Sequence, residues 1–126
     1  MAEGFARALA PQVSAASAGI EAEAGSPASD GATLAMQDVG IDISDHRSRT
    51  IAQALGAGAE APDLIFALEP IHAAAILRRH PSLAGRVHLL RTDGKGVADP
   101  HTGNGDDYER ARDEIRDAVA ARATQW

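Results

Sequence analysis

Asp63-Leu64-Ile65-Phe66-Ala67-Leu68-Glu69-Pro70 places an unbroken apolar run directly before an acidic residue and a proline. A strand with one wet face alternates polar and apolar residues. This run does not alternate, so it reads as a strand covered on both faces, which a parallel sheet flanked by helices demands. Glu69-Pro70 opens a helix over Ile71 to His80, since a first-turn proline lacks only an N–H that has no partner there anyway. Pro81 ends that helix, and Val87-His88-Leu89-Leu90 follows as another short strand.

Outward from this unit, strand and helix keep alternating. Val13 to Ala18 reads as a strand of small residues closed by Gly19. Before it, Met1 to Ala10 forms a helix with Met1, Phe5, Ala8 and Leu9 toward one face, stopped by Pro11. After it, Ser26 and Pro27 read as cap and first-turn proline of a helix over Ala28 to Asp38, ended by Gly40. Asp45-His46-Arg47-Ser48-Arg49 is a charged loop, Thr50 caps a short helix to Leu55, and residues 56–62 form a linker. Beyond the last strand lie a turn at Thr92 to Gly96 and a loop at Val97 to Gly103. Asn104 or Asp106 then starts a long helix that brings Tyr108, Ala111, Ile115, Ala118 or Val119, and Arg122 to one face. Its acidic start and basic end suit the helix dipole. The alternation predicts one α/β domain, a three-layer sandwich with a short parallel sheet flanked by helices.

The chain has 126 residues, the size of a single domain, with 44% hydrophobic content but only two Phe, one Tyr and one Trp. Its apolar mass is largely alanine, so helices should pack closely around a few larger side chains. Twelve Lys and Arg against eighteen Asp and Glu give a net charge of −6, which argues against nucleic acid or an anionic membrane as the main partner. There is no cysteine, hence no disulfide, thiolate metal site or thiol nucleophile within these residues. No apolar run approaches the ~18 residues of a membrane span, and Met1-Ala2-Glu3-Gly4 does not start like a secretory signal. A cytoplasmic protein is the expectation. His72 and His80 are not at metal-ligand spacing. His46, Arg47 and Arg49 read first as a solvated basic loop and second as a meeting point for an anion. Nothing in the sequence sets an oligomeric state.

Taken in order, the motifs resemble a low-molecular-weight protein tyrosine phosphatase. They are Met1-Ala2-Glu3-Gly4-Phe5, Ser17-Ala18-Gly19-Ile20, Gly40-Ile41-Asp42 with His46-Arg47-Ser48-Arg49, Pro62-Asp63-Leu64-Ile65 with His72-Ala73, Val87-His88-Leu89-Leu90, and Val97-Ala98-Asp99-Pro100 with Gly103. They cover nearly the whole chain. In that family the Met-Ala-Glu motif follows an N-terminal strand and a Cys-x5-Arg-Ser-Pro phosphate loop, so this sequence starts just past that loop. The resemblance therefore implies a sheet lacking its first strand, whose place would be between Val13–Ala18 and Leu64–Leu68. It also implies an absent catalytic centre, because the low-pKa thiolate, the phosphate-holding amides and the gripping arginine are all missing. The expectation is an N-terminally truncated and inactive chain, read from an internal Met.

For the full-length protein the resemblance implies hydrolysis of a phosphorylated protein or small phosphoester through a cysteinyl-phosphate, with no metal or other cofactor. Asp99 becomes the general acid that protonates the leaving ester oxygen. Without the resemblance, Asp99-Pro100 is a turn starter. His101 and Thr102 occupy positions at the pocket mouth where tyrosine phosphatases of the family often carry aromatic residues, and so are its substrate-binding candidates. Neither is Phe, Tyr or Trp, which weakens a phosphotyrosine reading. With Gly103, Tyr108 and Ala111-Arg112-Asp113-Glu114-Ile115, they look more like the arginine phosphatase branch. The thiol-dependent arsenate reductase branch needs cysteines after Leu68 that this chain lacks. Two further readings are a non-catalytic relative that binds a partner through an open sheet edge, and a flavodoxin-like module using the Asp93 carboxylate.

Overall fold

A computed structural model describes residues 1–55, 62–101 and 103–126. The elements run α1 (Ala2–Leu9), α2 (Asp30–Gln37), α3 (Ile51–Leu55), β1 (Ile65–Ala67), α4 (Pro70–Arg79), a 3-10 turn (Pro81–Arg86), β2 (Val87–Leu89) and α5 (Gly105–Ala123). β1 and β2 pair in parallel with Ile65 opposite Val87, Phe66 opposite His88 and Ala67 opposite Leu89. The β1–α4–β2 unit is thus the one predicted from the apolar run and Glu69-Pro70. Glu69 is the N-cap residue of α4 and Pro70 its first residue.

The sheet is covered by helices. α4 packs on both strands, while α5 packs against α1 and α2. Between them lies a core of Phe5, Ala6, Met36, Leu90, Val97, Ala111, Ile115, Ala118 and Val119, with Phe66, Leu68 and Trp126 against it. The predicted apolar face of α5 is the buried one, from Tyr108 to Val119. At its end Arg122 donates to the carbonyls of Leu89 at 2.7 Å and Leu90 at 3.0 Å, so the helix is tied to β2 by charge-assisted bonds.

Three expectations fail, each for a physical reason. Val13 to Ala18 is not a strand: the segment runs without a ladder, and pairing begins only at the parallel bridge of Gly19 with Thr50. Small residues alone do not make a strand; it needs a neighbour along its edge. The outer edge of β1 likewise has no strand beside it among the described residues. The cap of α2 is Ser29, whose hydroxyl accepts from the Ala32 N–H, whereas Pro27 lies in an antiparallel bridge with Arg47. Ala8 and Leu9 of α1 are exposed rather than packed, with Phe5, Ala6 and Ala10 taking the buried places. The linker of residues 56–62 lies outside the described residues except for its last, Pro62. Among the described residues no helix is long and apolar enough to cross a membrane.

Candidate functional site

The chain leaving β2 turns back over the end of β1. The Leu90 N–H donates to the Ala67 carbonyl at 2.9 Å, and the Val97 N–H donates to the Leu68 carbonyl at 2.8 Å. Val97 is buried, so the loop is pinned there, and Asp99-Pro100 emerges beyond the carboxyl ends of both strands. In open α/β sheets that end is where ligands bind.

Asp99 and Pro100 then shape the loop. The Asp99 Oδ1 accepts the His101 N–H at 3.0 Å, and the Gly103 N–H donates to the Pro100 carbonyl at 2.7 Å. Proline fixes the first turn dihedral and the aspartate side chain mimics a backbone acceptor. The carboxylate stays exposed, and no basic side chain among the described residues pairs with it. Asp93 differs: Arg91 donates to it at 3.1 Å and the Lys95 N–H at 3.0 Å, which hold its carboxyl below the usual range. That carboxylate is spent on its own loop, which removes the residue the flavodoxin-like reading rested on.

The loop ends in a built anchor. Asn104 caps α5 through a reciprocal pair: its Oδ1 accepts the Asp107 N–H at 3.1 Å, and the Asp107 Oδ2 accepts the Asn104 N–H at 3.0 Å. Gly103 lets this happen, since a Cβ there would meet the Asp107 carboxylate at 2.5 Å. One turn on, the Tyr108 hydroxyl donates to the His101 carbonyl at 3.3 Å. The structure therefore joins His101 to Asp99 by backbone contacts, with its side chain exposed. Thr102, the other pocket-mouth residue expected, lies outside the described residues.

A second polar group forms at the start of α1. The Glu3 carboxylate receives Arg7 at 2.7 Å and the Ser17 hydroxyl at 2.5 Å, and the His46 Nδ1 lies 3.4 Å away. Beside Ser17 and His46 is a cavity of about 220 Å³, also lined by Gly19, Ser48 and Arg49. Of the basic cluster in the sequence, His46 and Arg49 thus face a cavity, while Arg47 is spent on the carbonyls of Ser44 and His46. Asp99 and His101 do not line that cavity. Glu3 has two sequence signals, its place in the Met1–Phe5 motif and its position in the first turn of α1, and neither points to Ser17 or His46. Tyr108 carries two sequence readings, a place on the buried face of α5 and a part in the arginine-phosphatase-like tail, and neither points to its hydroxyl.

Residues 1–125 match the family of low molecular weight phosphotyrosine protein phosphatases. The chain is 35% identical over 122 residues to a probable low molecular weight protein-tyrosine-phosphatase, EpsP, of Ralstonia nicotianae, covering 96% of this chain and 82% of that protein. It is 38% identical over 122 residues to an arsenate reductase of Halalkalibacterium halodurans, covering 91% and 78%. In three dimensions it matches the YwlE arginine phosphatase from Geobacillus stearothermophilus with a TM-score of 0.86 at 26% identity, covering 98% and 80%. Relatives so alike that bear different activities mean that substrate choice is not set by the shared fold. The match along nearly the full length, together with an Asp-Pro loop at the carboxyl end of a parallel sheet, makes this chain a member of the low molecular weight phosphotyrosine protein phosphatase family.

Proposed function

We propose that these residues supply the acid half of a phosphomonoester hydrolysis, with Asp99 protonating the ester oxygen as it leaves phosphorus and then taking a proton from the attacking water. The observation that carries this reading is the position of Asp99: an exposed carboxylate on a loop pinned at Val97 over the ends of β1 and β2. The nucleophile is the missing part. With no cysteine among the 126 residues, a cysteinyl-phosphate cannot form on this chain by itself, and neither Ser17 nor Ser48 stands in for it. Both hydroxyls are already committed as donors, to Glu3 and to the Glu23 carbonyl. A preceding strand and Cys-x5-Arg loop, fitted along the open edge of β1, would complete both the sheet and the site. As given, the chain is inactive and is at most a binding module.

The substrate class is a phosphorylated protein or a small phosphoester. A second reading, protein arginine phosphatase, is favoured by the exposed His101 beside Asp99, where a small polar imidazole stands and not the large apolar ring of a Phe, Tyr or Trp. The deciding experiment compares the 126-residue chain with the same chain extended by a strand and Cys-x5-Arg-Ser-Pro segment, on phenyl phosphate and on phosphoarginine. The extended form is expected to turn over, its Asp99→Asn variant to lose about 10²- to 10⁴-fold in kcat on phenyl phosphate, and the unextended chain to do nothing. Turnover by the unextended chain, or full activity in Asp99→Asn, overturns the proposal. A higher kcat/KM on phosphoarginine assigns the second substrate.

A further inference from the structure

The acid loop and the start of α2 are far apart in sequence and meet at one side chain. The Tyr108 hydroxyl accepts from the Ser29 hydroxyl at 3.3 Å and donates to the His101 carbonyl at 3.3 Å. Its single proton is therefore committed to the loop, and its lone pair to the cap of α2. The ring is held by packing: Tyr108 is buried, and Gly31 is the neighbour whose missing side chain makes room for it. At 3.3 Å both hydroxyl bonds are longer than the usual O–H···O contact and so are weak ones; packing of the ring fixes the position, and the hydroxyl adds a modest tie to the loop.

From this geometry we propose that Tyr108 is a positioning residue: its phenolic O–H latches Asp99–His101 to the N-terminus of α2. Asp99 is two residues from the latched carbonyl and bonded to the same residue's N–H, so freeing His101 frees the carboxylate. The inference rests on the acid role of Asp99 for its meaning. Its test does not, because it reads loop order and not chemistry.

Amide hydrogen exchange on the 126-residue chain provides that test. In Tyr108→Phe the ring stays and the latch goes, so the His101 and Gly103 amides should exchange about 3- to 10-fold faster, the worth of one modest hydrogen bond, with the Ile115 amide unchanged. Ser29→Asp gives an independent check. Aspartate caps a helix as well as serine does, but it is an acceptor and draws the phenolic proton away from the His101 carbonyl. It should speed the same two amides while the thermal midpoint stays at or above that of the parent chain. Loop amides at parental rates in both variants overturn the latch. Equal acceleration at Ile115 also overturns it, by showing general loosening of α5. In either case the role of Asp99 still stands or falls on the kinetics of Asp99→Asn.

Discussion

A Cβ built on Gly31 would lie 2.4 Å from the ring of Tyr108, so α2 and α5 touch backbone to ring at this point. In an open helix interior, Gly→Ala gains about 1 kcal/mol from propensity. Here there is no room for the methyl group, and overpacking costs about 1–3 kcal/mol. The second effect wins. Gly31→Ala should lower the thermal midpoint, measured by circular dichroism; a raised midpoint would show that the two helices part easily.

Arg122 joins three elements through one guanidinium. It donates to the carbonyls of Leu89 and Leu90 on the β2 side and lies 5.2 Å over the ring of Phe66 from β1. A lysine ammonium lacks the planar fork needed for both carbonyls and the ring at once. Arg122→Ala should cost about 1–3 kcal/mol, because it strips a charged donor from two carbonyls. Arg122→Lys should recover less than half of that. Urea denaturation checks this through a lower midpoint at constant slope; equal midpoints for Lys and Arg would show that charge alone matters.

The elements legible in the sequence are those whose signals are local. The apolar run at Leu64 to Leu68, the proline after Glu69 and the period of α5 each act within a few residues, and the structure follows them. Val13 to Ala18 failed because a strand is a relation between two segments, and composition does not show whether the second is there. The α2 cap moved from Ser26 to Ser29 because Pro27 is used in a bridge to Arg47, a contact across twenty residues of chain. The reading of Asp99 as the acid rests on motif order and not on its own surroundings. The Glu3 group joins residues 3, 17 and 46, and the Tyr108 latch joins 29, 101 and 108, separations that no periodicity reports.

Glu3 tests which of its contacts matters. Its partner Arg7 is 64% exposed, so that ion pair is of the weak surface kind, and Arg7→Ala should change stability by no more than about 0.5 kcal/mol. The Ser17 hydroxyl is part-buried and donates to a charged acceptor, the stronger type of bond. Glu3→Ala leaves that donor unpaired and should cost about 1–3 kcal/mol. Glu3→Gln retains an acceptor and should fall between the two. Thermal denaturation of the three variants gives the order, and a loss in Arg7→Ala as large as in Glu3→Ala would assign the stability to the ion pair.

Acid should reach the α5–α2 contact through Asp113. The Arg112 Nε donates to its carboxylate at 2.9 Å, and the Arg112 Nη1 donates to the Ala35 carbonyl of α2 at 3.0 Å. The Arg112 bond, and then its charge, hold the Asp113 carboxyl below its ordinary value of 3.8. A carboxyl group lowered in the folded state contributes stability above its unfolded value and loses it as pH falls through the folded value. The Asp113 side chain is 44% exposed, so the contribution is of the surface-pair size, about 0.2–1 kcal/mol. Asp113→Asn should therefore lower the thermal midpoint slightly at pH 7. The gap should narrow once the pH falls below the ordinary carboxylate range, and close when Asp113 is protonated in both states. A gap that persists unchanged in strong acid would show that Asp113 acts through packing and not through its charge.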